Sequence, residues 1–518
     1  MNIWAEKALE EYNSTEKTVR RGGVAGKPFW NANSTQFIYV PQFMFPALPG
    51  IKTYRYTATD STGKSYSFED NSPTAPLYPI WRDLAVGFVE LKVEGIHRHI
   101  DKTFVVGART FYKATPFLGK EAYPDRACSY KECAIKAFKF LFDDPATRYW
   151  LDYGVPDPNY YHNAYPSKMI SSIVNAMIYY AQIDPEMKDK ALKLATNAAD
   201  YLISITYPSD SHLAGLPPTY SFKGLNRDVV NATAPMAEKR EHTIMMIYPA
   251  CVGSMYLELE KATGDKKYFD QATLIAKYYE KTVLPNGSWY LLVNEKTGQS
   301  EGVNCCVTID ILEFMSSYYA RTKEEKWHEL EKNYYEFVRK TSLENYNWEG
   351  QFEDIVLTGN YQNLTHFAAD KLISYFTKNY PNDEKMMETA EELMRYVEDQ
   401  FVIWGEHAPW NVHLKPGDYW YYPACVEQYN WYVPIDASTS VIMATMLDLY
   451  KVNKNPLLLE KARVLGDAIT RMQNSENGQI PTHWMWKDCT TNIQNFWINC
   501  HIGTAFRMMQ LAKVVGEI

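Results

Sequence analysis

Three things are scarce in this 518-residue chain, and each scarcity removes a class of function. No apolar run approaches the roughly 18–20 residues that cross a bilayer as a helix, so no membrane-spanning role is expected. Basic residues are outnumbered, 53 Lys and Arg against 62 Asp and Glu, for a formal charge of −9. A nucleic-acid partner would need the opposite balance to neutralise phosphates, and none is expected. Cysteine is limited to 8 residues scattered along a long chain, which reads as mostly buried thiols rather than a disulfide framework. The N-terminal stretch is charged and amphipathic without the apolar core of a signal peptide. As written, the chain is expected in the cytoplasm, or in the periplasm or outside the cell if a leader has been removed.

What is plentiful is aromatic. The 40 Tyr and 14 Trp suit a protein that stacks on flat apolar faces, and sugars have such faces. Residues 1–21 read as a surface helix ended by Gly22, Gly23, Gly26 and Pro28. From about Gln36 to Phe117 the texture is β-branched, aromatic and alternating, which predicts a β-rich layer that packs on the rest and walls one side of a cleft. The helical period then takes over. A first helix is predicted at 130–142, hairpins at 166–182 with 187–205, 241–263 with 266–283, 305–321 with 324–341, 364–379 with 383–402 and 436–452 with 455–473, and a last helix at 495–514.

That makes twelve helices, and they divide into two kinds. The second member of each hairpin is amphipathic with a polar first turn, whereas the first members (SSIVNAMIYYA, STSVIMATMLDLY) are apolar and rich in small residues. Paired helices at a long period mean stacked hairpins, open or closed. Long aromatic linkers fall before the inner helices and short ones after them, which favours a closed ring with one elaborated face. The expected architecture is a mainly α (α/α)6 toroid over 125–518 behind an N-terminal helix and β-rich domain over 1–124.

Six hairpins, with PIDASTSVIMATMLDLY opening an inner helix and NGQIPTHW following the last outer one, resemble the six-hairpin glycosidase superfamily. The PIDASTS segment is similar to the inner-helix start of unsaturated glucuronyl hydrolases. The resemblance implies carbohydrate chemistry, with uronic acids among the substrates it allows, and singles out Asp436. Read from the residues alone, an Asp before an apolar helix is an N-cap.

In such a ring the chemistry sits in the loops ahead of the inner helices. Glycoside hydrolysis needs two carboxyls, one protonated and one not, with aromatic platforms for the sugar. The pair argued from sequence is Glu353 or Asp354 with Glu427. The first two are adjacent acids between Phe352 and Ile355, and Glu427 lies in an aromatic cluster of Tyr421, Tyr422, Tyr429 and Trp431. Expected substrate contacts are Tyr161, His162 and Asn163 in the first loop, His242 in the second, Trp348 and His366 in the fourth, Trp410, Trp420 and Tyr422 in the fifth, and His483 and Trp484 in the sixth. Each has a plainer alternative: a hydrogen-bonded structural His, or a Trp that staples its loop. Cys305–Cys306 after Glu301 invites a zinc reading by resemblance to toroid arabinofuranosidases, but no Glu-x-Cys spacing accompanies it. No metal or cofactor is expected. The function expected is a glycoside hydrolase acting on an oligosaccharide or polysaccharide. The alternatives are a lyase or C5-epimerase working on uronates through Tyr and His, and a non-catalytic glycan-binding protein.

Overall fold

The computed structural model describes residues 2–17, 19, 29–229, 234–355, 362–408, 420–485 and 496–518. Among these, twelve helices form a closed double ring. They are α1 (Tyr130–Asp143), α2 (Pro166–Ile183), α3 (Lys188–Ser204), α4 (Tyr248–Thr263), α5 (Lys266–Thr282), α6 (Asp310–Thr322), α7 (Glu325–Val338), α8 (Phe367–Asn379), α9 (Glu384–Phe401), α10 (Asp436–Asn453), α11 (Pro456–Met472) and α12 (Ile498–Val514). Even-numbered helices are inner and odd-numbered ones outer. Five hairpins pair neighbours in sequence, and the sixth pairs the last inner helix, α12, with the first outer helix, α1. Because α12 also packs on both α10 and α2, the last ring helix joins the first ones and closes the ring.

Local chemistry explains where these helices start and stop. Ser129, Asp265, Asp383 and Asn455 each accept a hydrogen bond from a backbone N–H of the first turn of an outer helix, satisfying a donor that would otherwise lack a partner. Gly264 ends α4 with a left-handed φ of 75°, which glycine adopts without steric cost. The expected helix from 241 begins only at Tyr248, beside Pro249. Thr243–Met245 instead pair antiparallel with Leu292–Asn294 in a small sheet. The inner helix α10 is buried nearly all round, as its lack of a polar face predicts, whereas α9 keeps one charged side in solvent.

The N-terminal segment forms a five-stranded sheet of β1 (Gln36–Phe37), β2 (Ile51–Thr59), β3 (Ser65–Asp70), β4 (Gly87–His97) and β5 (Thr103–Lys113), in the order β1-β5-β4-β2-β3. All neighbours are antiparallel except β1 with β5. Alternate residues of β4 are buried, and one continuous apolar core runs from this sheet into the helices.

The sheet does not wall the central cavity, contrary to expectation: no described residue before Lys168 lines it. The reason lies at the end of α9. The Asp399 carboxylate accepts from the backbone N–H groups of Ile38 (2.6 Å) and Tyr39 (2.8 Å), which pins the strand segment to an outer helix. Glu398 beside it accepts from Tyr12 (2.5 Å), Tyr39 (3.0 Å), Trp404 (3.0 Å) and Lys461 (2.8 Å), with both members of the ion pair almost wholly buried. These anchors hold the sheet against the flank of the ring.

Candidate active site

Inside the ring lies a cavity of about 1000 Å³. Every inner helix contributes to its wall: Lys168 from α2, Tyr248 from α4, Glu313 from α6, Lys371 from α8, Thr445 from α10 and Arg507 from α12. Ala437 and Asp448 both line it from α10, and at 1.5 Å rise per residue they lie about 16 Å apart, so the lumen is deep enough for more than one sugar ring.

At the mouth the structure brings Asp354 and Glu427 onto the same wall. Glu427 sits on the strand Ala424–Gln428. Gln428 Nε2 donates to its Oε2 at 3.0 Å, and Asn363 Nδ2 donates to Gln428 Oε1 at 2.9 Å, which fixes that amide. Burial pushes the Glu427 carboxyl up to about 7; Lys168 pulls it down, and Asp354 adds to the rise. Asp354 is exposed at the lumen. Desolvation and the Glu353 charge lift it to about 6 against the opposing pull of Lys168. Two carboxyls facing one cavity are thus both raised toward neutrality.

Glu353, the third acid considered from sequence, is fully buried behind this wall. It accepts from Lys168 Nζ (2.6 Å) and from the Tyr248 hydroxyl, while Tyr220 and Arg240 donate to its backbone carbonyl. Lys168 in turn rests over the Trp497 ring, 4.5 Å from its centroid, and lines the lumen. Burial works against the lysine's charge, but Glu353 and Asp354 outweigh it and hold the group above the usual lysine range. Lys168 is therefore a positioning residue: it aims Glu353 and sets the field at Asp354 and Glu427. Replacement by Met is expected to raise both carboxyls and move the pH optimum of turnover upward by roughly half a unit or more, while Lys168→Arg keeps the wild-type optimum. An unshifted profile in Lys168→Met would assign the lysine a purely structural part.

Of the other residues named from sequence, His483 lines the cavity, and burial keeps its imidazole neutral down to about 4. The rest of those described sit outside the wall. Tyr161, His162 and Asn163 form a buried turn behind Trp497, with the His162 ring 3.5 Å from that indole. His242 is exposed and pairs with Glu295 at 2.6 Å. His366 is buried between Asp370 (2.5 Å) and Ser438 (2.9 Å). Trp348 and Trp484 are fully buried in the core, the latter donating to the Pro481 carbonyl at 3.2 Å. Trp420 stacks on His407 at 4.0 Å, and Tyr422 hydrogen-bonds the same histidine. Asp436 is buried and accepts from Thr504 at 3.2 Å, and burial pushes its carboxyl well up. Trp410 lies outside the described residues. Among the described residues, the Trp, Tyr and Phe side chains that reach the lumen are Trp431 and Trp497 with Tyr248, Phe352, Phe367 and Phe506.

Sequence reasoning missed Lys168, Trp497 and Arg507. Lys168 carried a signal: a cation in the first turn of an apolar helix opposes the helix dipole and so needs an acidic partner elsewhere.

No family model matches the chain, and no curated protein matches its sequence. Solved structures do. A D-mannose isomerase aligns with a TM-score of 0.52 at 12% identity, covering 74% of this chain and 97% of that one. A family 76 glycoside hydrolase from a bovine Bacteroides thetaiotaomicron strain aligns at 0.47 and 10% identity over 90% of this chain and 95% of that one. An unsaturated glucuronyl hydrolase specific for heparin gives 0.46 and 12% over 75% and 98%. Identities this low speak to fold alone, and the fold is the six-hairpin toroid.

Proposed function

We propose that the chain is a carbohydrate-active enzyme that hydrolyses a glycosidic bond of an oligosaccharide bound in the lumen. The observation that carries this reading is the pair Asp354 and Glu427, open to one cavity and poised at about 6 and about 7. Near pH 6.5 Glu427 keeps its proton and can donate it to the leaving oxygen. Asp354 is then ionised and can activate water or meet the anomeric carbon. Trp431 and Trp497 supply apolar surface for the sugar rings, and the Asn363–Gln428 chain stops Glu427 from swinging away. Glu353, locked by Lys168 and Tyr248, supports the wall from behind.

The pH profile follows with its sign. Below about 6 Asp354 gains a proton and the base is lost; above about 7 Glu427 loses its proton and the acid is lost. Turnover is expected as a narrow bell whose two limbs belong to the coupled pair. A flat profile from pH 5 to 8 would contradict the assignment.

A second reading is favoured by His483, whose neutral imidazole on the lumen wall could move a carbon-bound proton, as an isomerase or epimerase requires. A panel of neutral oligosaccharides, free aldoses and uronate glycans separates the readings. Release of new reducing ends supports hydrolysis. Interconversion of free sugars without bond cleavage favours His483 chemistry, and an ultraviolet-absorbing unsaturated product favours a lyase. Turnover of no member of the panel would overturn the enzymatic reading.

A further inference from the structure

The lumen wall is unevenly charged. Among the described residues that line it are three cations, Lys168, Lys371 and Arg507, and seven carboxyl side chains. Both lysines are already committed, Lys168 to Glu353 and Lys371 to Asp310. Arg507 donates to Ser440 Oγ at 3.2 Å and makes no ion pair among the described residues. Burial lowers its pKa from the usual arginine value, while Cys500, Asp436, Asp370 and Asp448 work the other way, and the guanidinium stays charged.

On the acidic side, Asp310 and Asp448 have lysine partners, Lys371 and Lys451. Asp354, Glu427 and Glu313 also line the cavity, with no lysine or arginine within ion-pair distance among the described residues. Asp370, almost fully buried, uses one oxygen on His366 and leaves the other without a hydrogen-bond partner. Desolvation lifts Glu313 to about 7; Lys371 and Lys378 pull it down, and Asp310 and Asp448 add to the rise. A guest carboxylate entering this space would shed its water and find a single cation without an ion-pair partner, Arg507, set against a larger number of carboxyls. Sugar hydroxyls, by contrast, donate to carboxylates, and an ammonium gains from them directly.

We propose that the lumen takes a glycan that is uncharged or amine-bearing and turns uronates away. The inference rests on the glycan-binding reading above and narrows it, against the uronic-acid substrate that the sequence analysis allowed.

The test is calorimetric binding at about pH 8, where Glu313 is ionised, and low ionic strength to Glu427→Gln protein, which turns over slowly and loses only one of the seven acids. The ligands are panels of neutral, glucosamine-type and uronate oligosaccharides of matched length. Neutral and amine-bearing members are expected to bind, the amine-bearing ones at least as tightly. Uronates are expected to bind at least about tenfold more weakly, with the gap closing as salt rises. Adding Glu313→Gln should narrow the same gap. Uronates that bind as tightly as neutral glycans, or a gap indifferent to salt and to Glu313→Gln, would overturn the charge rule while leaving the glycan reading in place. Failure of all three panels would instead overturn the glycan reading itself.

Discussion

Glu427→Gln is expected to lower kcat/KM on a cleavable oligosaccharide by about 10²–10⁴-fold, the usual worth of a positioned general acid. The amide preserves size and can keep the hydrogen bond from Gln428, but it has no proton to give. Its alkaline limb should vanish with the activity, because the group that titrates at about 7 is gone. Asp354→Asn should cause a loss of similar size and remove the acidic limb instead. Substrates with an activated leaving group, which need little protonation, should recover most of the rate in Glu427→Gln and little in Asp354→Asn. Steady-state kinetics on both variants checks this. Near wild-type rates in either would remove that carboxyl from the mechanism. Glu353→Gln differs in kind, since that side chain is turned away from the cavity onto Lys168 and Tyr248, and its cost should appear as a shifted pH profile with partial activity.

Lys461→Ala should destabilise the fold by about 3–5 kcal/mol, the range for removing one partner of a buried ion pair. The lysine is 1% exposed, and its loss would leave Glu398 charged in the dry seam between α9, α11 and the N-terminal helix Ile3–Tyr12. Three other donors, from Tyr12, Tyr39 and Trp404, soften the blow without neutralising the charge. The double change Glu398→Gln with Lys461→Met should therefore cost less than Lys461→Ala alone, because it removes both charges and keeps the volume. Denaturant unfolding gives the comparison. A single variant within about 0.5 kcal/mol of wild type would show that the pair contributes little.

The ring was legible because its signal is repetitive. Five outer helices with polar first turns and inner helices such as STSVIMATMLDLY with no polar face can bury themselves in few ways, and closure by the first and last helices follows from the odd pair left over. The strand at Thr243–Met245 was hidden in a helical-looking run, and only Pro249 marked the true helix start. The sheet's position could not be read from its own pattern, which states that one face is buried and not against what. A hint lay elsewhere, in Glu398 and Asp399 at the last turn of α9, where acids oppose the helix dipole and so call for outside donors.

The site was legible at the level of loops and less so at the level of side chains. Adjacent Glu353 and Asp354 are indistinguishable in sequence, yet one points into Lys168 and the other into the lumen. Trp348 and Trp484 carry the same composition signal as a sugar platform, but packing uses them as core. Trp497 has the better claim by position, and it gains it only because the inner helix α12 begins right after it at the rim.

The most direct measurement is a crystal structure of Glu427→Gln protein with an uncleaved neutral oligosaccharide. The account predicts a sugar chain threaded into the lumen, with its glycosidic oxygen within hydrogen-bond reach of residue 427 and its anomeric carbon facing Asp354. A chain bound on the outer surface, or a lone sugar whose reacting carbon faces His483 with neither carboxyl near a glycosidic oxygen, would contradict it.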